Sequence, residues 1–244
     1  MIKDGLSRGG EGISSFLMIG QSNMAGRGDF GEVAPIDNPD CFMLRNGRWQ
    51  KMSEPINPDR SILSGEFHSG VNLAASFADG YAKRTGGRAG LIPCADGGTE
   101  IAQWMPDEIL FDHAVFMAGL ASRTSTVKAI LWHQGEADCH PEKILVYKQK
   151  FTEMITELRK RLGNPNLPVI IGELSENISD RWNPGDYPAR MNKVFEEIAA
   201  ELHNVALAPA ADLPLKSDGI HFSSASLRIL GERYLEAYFS IVNE

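Results

Sequence analysis

A serine near the start of the chain and a histidine near its end are residue types that could hydrolyse an ester together. Ser22 stands in the run GQSNM at 20–24, and His221 ends the run DGIH at 218–221. A serine hydroxyl is a weak nucleophile until a base removes its proton, and a carboxylate that orients the imidazole strengthens that base. Because side chains at i and i+3 can meet in a turn, Asp218 is expected to hold the ring of His221.

A simpler interpretation of these residues stays open at this point. A serine after a strand is more often a turn or capping residue, and Asp218 or Ser223 could simply begin the last helix. The run GQSNM also differs from the G-x-S-x-G elbow of α/β-hydrolases, because Met24 occupies the last position. An α/β-hydrolase fold is therefore disfavoured.

Two other segments offer hydrogen-bond donors for an oxyanion. Gly97 and Gly98 would let an exposed backbone N–H approach a reacting oxygen, although they could equally form an ordinary glycine turn. Gln134 could donate its side-chain N–H to the same oxygen, or it could be a buried amide that satisfies loop backbone. With the N–H of Ser22, these groups would form an oxyanion hole, in which one donor contributes about 3–4 kcal/mol.

A metal site is the competing hypothesis for three side chains spaced H-x-x-E-x-x-x-H, which are His133, Glu136 and His140. The spacing differs from the H-E-x-x-H of zinc enzymes, and Gly135 and Pro141 argue against one helix through this segment. No metal is expected. The cysteines Cys94 and Cys139 are interpreted as small buried hydrophobes, since neither has a better-supported partner than Ser22.

Five short apolar runs alternate with helical stripes along the chain. The runs cover 16–19, 89–93, 127–132, 169–171 and 205–208, and the stripes cover 71–82, 109–121, 144–162, 191–202 and 227–238. This alternation predicts a three-layer α/β/α sandwich with a five-stranded parallel sheet. Segment 28–64 is predicted to be a long excursion with at most short elements, and 175–188 a second loop excursion. The polar clusters follow the strands and should converge at the carboxyl edge of the sheet.

Composition narrows the partners and the location. A net charge of -8 disfavours nucleic acid and anionic membranes, and no run approaches the roughly 18 apolar residues that span a bilayer. Three cysteines without regular spacing fit a reducing compartment. The N-terminal 15 residues lack an apolar segment of the kind found in signal peptides, so a cytoplasmic location is expected unless a signal was removed. One domain over 1–244 is expected.

Four segments together resemble the SGNH (GDSL-like) hydrolase superfamily, and within it carbohydrate esterase family 6 and the sialate O-acetylesterases. They are FLMIGQSNMAGRG at 16–28, CADGGTEIAQW at 94–104, LWHQGEADC at 131–139 and DGIHFS at 218–223. The resemblance implies a flavodoxin-like fold without a metal or organic cofactor. It implies Ser22 as nucleophile, Gly98 and Gln134 as oxyanion donors, and Asp218 with His221 as the acid–base pair.

In this branch of the superfamily, the residue that matches Glu136 is also proposed as the acidic partner of the histidine that matches His221. Asp218 is favoured because it stands in the same short turn as His221. Asn23, Trp104 and Trp182 are predicted to contact the substrate.

The expected function is removal of O-acetyl groups from carbohydrates through an acyl-enzyme, and the acidic surface mildly favours a neutral xylan type over sialic acid. Alternatives are a non-catalytic carbohydrate-binding protein, a lipase or thioesterase of the same fold, and an acyltransferase. The sequence leaves the oligomeric state open.

Overall fold

A seven-stranded, mostly parallel sheet organises the chain. The computed structural model describes residues 12–57, 69–183 and 185–242. In chain order the strands are β1 (Ile13–Gly20), β2 (Cys41–Arg45), β3 (Arg48–Lys51), β4 (Arg88–Pro93), β5 (Thr126–His133), β6 (Val169–Gly172) and β7 (Val205–Ala208). Their spatial order is β3-β2-β4-β1-β5-β6-β7. Every neighbouring pair is parallel except β2 with β3.

Within the described ranges, six α-helices complete the fold. They are α1 (Ser22–Ala25), α2 (Leu73–Thr85), α3 (Ile109–Ala121), α4 (Pro141–Arg161), α5 (Tyr187–Glu201) and α6 (Ser224–Ile241). All five predicted strands and all five predicted helices are confirmed, and so is the α/β class. In the part of the chain that the structure describes, no helix combines the length and the apolar character that crossing a membrane requires.

The expected strand count is wrong by two. The segment predicted as an excursion at 28–64 contains β2 and β3, which form a hairpin around Asn46 and Gly47. Both of these residues have positive φ, as such a tight turn requires. Strand β3 carries polar residues at an exposed edge and has no continuous apolar run, whereas β2 carries only a short apolar run at 41–44. Residues 58–64 of that segment, and most of the N-terminal stretch considered for a signal peptide, lie outside the described residues.

The central strand β1 explains why its apolar run is continuous. Phe16 and Met18 belong to the core on one face of the sheet, which also contains residues of α2 and α6. Leu17 and Ile19 belong to the core on the other face, with residues of α3, α4 and α5. Successive residues of a strand point to opposite faces, so a strand covered on both sides needs apolar side chains at every position.

The carboxyl end of β1 is joined to both neighbouring strands. The N–H of Gln21 donates to the His133 carbonyl at 2.8 Å, and the N–H of Asp96 donates to the Gly20 carbonyl at 2.9 Å. Gly20 has φ +128, and a Cβ atom there would lie 2.2 Å from the His133 carbonyl oxygen. Glycine is therefore required at this crossing. The chain segments after β1, β4 and β5 are held side by side at this edge.

Candidate active site

Ser22, His221 and Asp218 form one hydrogen-bonded chain at the carboxyl edge of the sheet. The Nε2 atom of His221 lies 2.9 Å from the Ser22 Oγ atom, and its Nδ1 atom lies 2.8 Å from Asp218 Oδ2. Ser22 and His221 are 199 positions apart in sequence and are brought together only by the fold. The side chain of His221 is 22% exposed, so the ring is reachable from solvent. This geometry can transfer a proton from the hydroxyl to the imidazole.

Asp218 is fixed by the turn that it begins. Its Oδ1 atom accepts hydrogen bonds from the backbone N–H groups of Ile220 at 3.1 Å and His221 at 3.0 Å. Partial burial raises the pKa of Asp218, but the backbone N–H and the ring of His221, with the Ile220 N–H, lower it by more, so its pKa lies below the ordinary value. Ser223, rather than Asp218, caps α6, because its side chain accepts from the Ser226 N–H.

The structure leaves two backbone N–H groups available beside the Ser22 hydroxyl. Both Ser22 and Gly98 line the same cleft. Across residues 12–57, 69–183 and 185–242, no protein acceptor takes the N–H of either residue. Gly98 adopts φ +74, a conformation that glycine enters without strain. Both groups can therefore serve the predicted role of oxyanion donors.

Gln134 does not face the cleft, which contradicts its predicted role as a direct oxyanion donor. Its side chain is fully buried, and its Nε2 atom lies 2.6 Å from Asp138 Oδ2 and 2.8 Å from the Thr99 carbonyl. An amide has two hydrogens, so both are used. Asp138 Oδ2 also accepts from the Ile101 N–H at 2.8 Å. Gln134 therefore supports the loop that carries Gly98.

Asn23 is likewise withdrawn from the cleft, which contradicts its predicted contact with substrate. It is 1% exposed, and its Nδ2 atom donates to Glu136 Oε1 at 2.7 Å and to the Ile220 carbonyl at 3.3 Å. Its Oδ1 atom accepts from the Phe222 N–H at 3.1 Å. Glu136 is 3% exposed. Burial raises the pKa of Glu136, but contacts with His133 and Asn23 lower it by more, leaving it below the ordinary value.

The two predicted tryptophan contacts have different outcomes. Trp104 is 1% exposed, packs edge-to-face on Trp132 with 5.6 Å between ring centroids, and donates to Thr99 Oγ1. It belongs to the core, so its predicted substrate contact is wrong. Trp182 is 50% exposed and lines the cleft. Its Nε1 atom donates to the Asp218 carbonyl at 2.8 Å, which fixes the ring beside the hydrogen-bonded chain.

The cleft around Ser22 has a volume of about 570 Å³. Other polar residues also line it, namely Gln21, Arg27, His140, Lys143 and Asn183. Asn183 is 4% exposed, and its Nδ2 atom has no hydrogen-bond partner among the described residues. In the sequence, only its place in the polar loop after β6 indicated it.

The competing nucleophiles and metal ligands are unsuited to those roles. Cys94 and Cys139 are buried free thiols, and burial raises the pKa of both well above the ordinary value. A thiol attacks as thiolate, so a raised pKa opposes catalysis. His133 is fully buried whereas His140 is exposed. Within the described ranges, no three histidine, cysteine or acidic side chains cluster as metal ligands do.

The fold and the position of the cleft define an SGNH-type hydrolase. The lipase/acylhydrolase from Enterococcus faecalis has the same fold, with a TM-score of 0.55 at 15% identity over 95% of this chain and 98% of that chain. The family model described as carbohydrate esterase, sialic acid-specific acetylesterase, matches residues 13–240. The chain therefore belongs to this family of carbohydrate esterases, and it is an esterase of the SGNH type.

Individual relatives agree with this placement. A probable carbohydrate esterase from Arabidopsis thaliana is 31% identical over 92% of this chain and 90% of its own length. A crystal structure of a protein from Arabidopsis thaliana has a TM-score of 0.81 at 28% identity, covering 94% of this chain and 98% of that chain. The crystal structure of NanS has a TM-score of 0.73 at 16% identity, covering 93% and 97% of the two chains, which shows the shared fold.

Proposed function

We propose that this protein removes O-acetyl groups from carbohydrates through an acyl-enzyme on Ser22. The observation that carries the proposal is the unbroken chain from Ser22 Oγ to His221 Nε2 at 2.9 Å and from His221 Nδ1 to Asp218 Oδ2 at 2.8 Å. Both distances are within the reach that proton transfer requires. The family match supports the ester class, and a cleft with Trp182 and Asn183 in its wall supports a sugar as the alcohol.

The reaction proceeds in two halves. His221 takes the proton of Ser22 as the oxygen attacks the acetyl carbonyl, and Asp218 stabilises the imidazolium. The N–H groups of Ser22 and Gly98 stabilise the oxyanion. His221 then protonates the departing sugar oxygen, which leaves an acetyl ester on Ser22. A water molecule, deprotonated by His221, attacks that ester, and acetate leaves as the serine regains its proton.

The test is the activity of Ser22→Ala on p-nitrophenyl acetate. Loss of the nucleophile should lower kcat by about 10⁴-fold or more. Ser240→Ala is the matched control, because Ser240 lies near the end of α6 and bonds only locally to the Ala237 carbonyl. A fluorophosphonate should label the native protein and Ser240→Ala at Ser22, and should not label Ser22→Ala. Near-native turnover by Ser22→Ala would remove the proposal.

The finer substrate class in this proposal is an O-acetylated sialic acid. Arg27 and Lys143 line the cleft, so a sugar carboxylate would meet positive charge there. Lys143 is partly offset by Glu100, which accepts from its Nζ atom at 2.7 Å. The net charge of -8 favours a neutral sugar, but charges more than about 8 Å away are screened at physiological salt. The family description also supports the sialic acid class.

A panel of esters separates this class from its rivals. Acetate release is measured from O-acetylated sialic acid, acetylated xylan oligosaccharides and p-nitrophenyl acetate, with p-nitrophenyl palmitate as the long-chain ester. The proposal expects the largest kcat/KM on O-acetylated sialic acid. A preference for xylan fragments would keep the esterase and change the sugar, whereas a preference for palmitate would indicate a lipase. Sugar binding without acetate release would indicate a non-catalytic carbohydrate-binding protein.

A further inference from the structure

Asn23 and Glu136 make a buried connection between the nucleophile and the segment that carries the histidine. Asn23 follows Ser22 directly in α1. Its amide bonds to the backbone on both sides of His221, at the Ile220 carbonyl and the Phe222 N–H, and to the Glu136 carboxylate. We refer to Asn23 and Glu136 as the clamp pair. One amide therefore joins the helix that carries Ser22 to the segment that carries His221.

The carboxylate of Glu136 accepts a hydrogen bond from the Asn23 amide and so favours one orientation of that amide. An ionised carboxylate can only accept hydrogen bonds, so the Nδ2 atom must face it, at 2.7 Å. The Oδ1 atom is then directed to the Phe222 N–H, and the second Nδ2 hydrogen to the Ile220 carbonyl. Reversing the amide would set an oxygen against the carboxylate. Glu136 thereby reinforces the orientation that the Phe222 N–H and the Ile220 carbonyl also require, in which Asn23 holds the histidine segment.

Glu136 has no nitrogen of His221 to bind. The Nδ1 atom of that ring is occupied by Asp218, and the Nε2 atom by Ser22. The histidine that Glu136 approaches is His133, whose Nε2 atom lies 3.6 Å from Glu136 Oε1. A direct acid–base partnership with His221 is therefore excluded in this arrangement, and the hydrogen bonds that link Glu136 to the histidine segment run through Asn23.

We infer that the clamp pair positions His221 against Ser22, with Glu136 and Asn23 acting as positioning residues rather than as members of the proton-transfer chain. This inference rests on the proposed function. Asp218 orients the ring, while the clamp pair fixes the backbone that bears the ring. Catalysis depends on such placement, because a shift of about 1 Å in a reacting group can cost about 10²-fold in rate.

The test compares Asn23→Ala, Glu136→Gln and Asp218→Asn on p-nitrophenyl acetate. Asn23→Ala should lower kcat by about 10–100-fold. Its KM should change little, because Asn23 does not line the cleft. Glu136→Gln keeps an oxygen acceptor for the amide, so kcat should fall by only about tenfold or less. If Glu136 were the acid of the proton-transfer chain, its loss would equal that of Asp218→Asn.

The matched control is Asn192→Ala. Asn192 is also a buried asparagine that joins two segments, through hydrogen bonds with the Leu174 N–H at 2.9 Å and the Leu174 carbonyl at 3.0 Å, but it lies outside the cleft. It should lose stability to a similar degree and keep its kcat. An equal fall in kcat for Asn192→Ala, an unchanged kcat for Asn23→Ala, or a Glu136→Gln loss equal to that of Asp218→Asn would each overturn the inference.

A readout that needs no substrate separates this inference from the proposed function. The proton between His221 Nδ1 and Asp218 should give a downfield ¹H NMR signal in the native protein. Asn23→Ala should broaden or remove it, because the loosened segment exposes this proton to exchange with solvent, whereas Asn192→Ala should keep it. Should no ester be cleaved, this signal still tests the clamp pair. If Asn23→Ala does not fold, Asn23→Ser and Glu136→Gln supply the same comparison.

Discussion

Two histidines among the described residues, His221 and His133, each have a carboxylate three positions away, yet the two pairs differ in burial and in the distance between nitrogen and oxygen. His221 and Asp218 are partly exposed, at 22% and 34% of their side chains, with 2.8 Å between nitrogen and oxygen. The side chains of His133 and Glu136 are 0% and 1% exposed, with 3.6 Å between nitrogen and oxygen. Sequence spacing alone does not distinguish the two pairs. What distinguishes them is the other hydrogen bonds of each histidine and carboxylate, which show that one pair can react and the other supports the structure.

The two rings are held by different partners. Asp218 accepts two backbone N–H groups in its own turn, which directs its second oxygen to the His221 ring. The ring of His133 is held from the opposite side, because its Nδ1 atom lies 3.1 Å from the Tyr234 hydroxyl. That hydroxyl donates its one hydrogen to the Trp132 carbonyl at 2.6 Å, so Nδ1 of His133 must carry a proton. His133 therefore keeps a proton on Nδ1, and its ring is fully buried.

The largest difference between the two pairs is expected in kcat, which Asp218→Asn should lower. An asparagine amide would donate to His221 Nδ1 and force the proton onto Nε2, the atom that must accept the proton of Ser22. Wrong-tautomer variants of this kind lose about 10⁴-fold in kcat. Steady-state kinetics on p-nitrophenyl acetate measure it, with Asp186→Asn as a control for an exposed aspartate that bears no ring contact. A loss below tenfold would remove Asp218 from the proton-transfer chain.

A moderate effect, on stability rather than rate, is expected for Tyr234→Phe. The change leaves His133 Nδ1 and the Trp132 carbonyl without a hydroxyl partner in a fully buried place. Such a loss costs about 1–3 kcal/mol of unfolding free energy, measured by urea denaturation, while kcat should stay within about threefold. The control is Tyr187→Phe, a half-buried tyrosine whose change is expected within about 0.5 kcal/mol. A large fall in kcat at native stability would assign His133 to the reaction.

The fold was predictable from sequence because its signals are local. Continuous apolar runs and stripes at helical spacing located β1, β4, β5, β6, β7 and five helices, since burial on both faces of a sheet demands those patterns. Strand β2 carries a short apolar run at 41–44, but the edge strand β3 was not predictable in this way. Its residues Arg48, Gln50 and Lys51 are exposed at the sheet edge, where no apolar pattern is required.

The site was predictable only in part, because residue type does not show where a side chain points. Ser22, His221 and Asp218 were found from their chemistry and spacing, and the structure brings them together. Gln134 and Asn23 have donors suited to a substrate, but their amides are used by Asp138 and Glu136. Long-range hydrogen bonds of this kind arise from the packing of distant segments, which no short motif records.

The smallest effect concerns how stability depends on pH, and it has opposite signs for two aspartates. The pKa of Asp218 is lowered, mainly by backbone and ring contacts of His221 against the opposing effect of burial. Its ionised form therefore stabilises the fold above the ordinary aspartate pKa of about 3.9, and this contribution is lost as pH falls through the lowered value. The pKa of Asp138 is raised, chiefly by burial, against the hydrogen bonds from Gln134 and Ile101.

Ionising Asp138 in the fold is unfavourable, so its contribution to stability falls as pH rises from about 3.9 through its raised value. Thermal melts of the native protein, Asp218→Asn and Asp138→Asn across acid pH measure both effects. As pH rises, Asp218→Asn should lose Tm relative to the native protein, whereas Asp138→Asn should gain. An asparagine does not titrate, so each variant lacks the pH-dependent contribution of the aspartate it replaces. If the Tm difference from the native protein changed in the same direction with pH for both variants, the opposite pKa shifts of Asp218 and Asp138 would be contradicted.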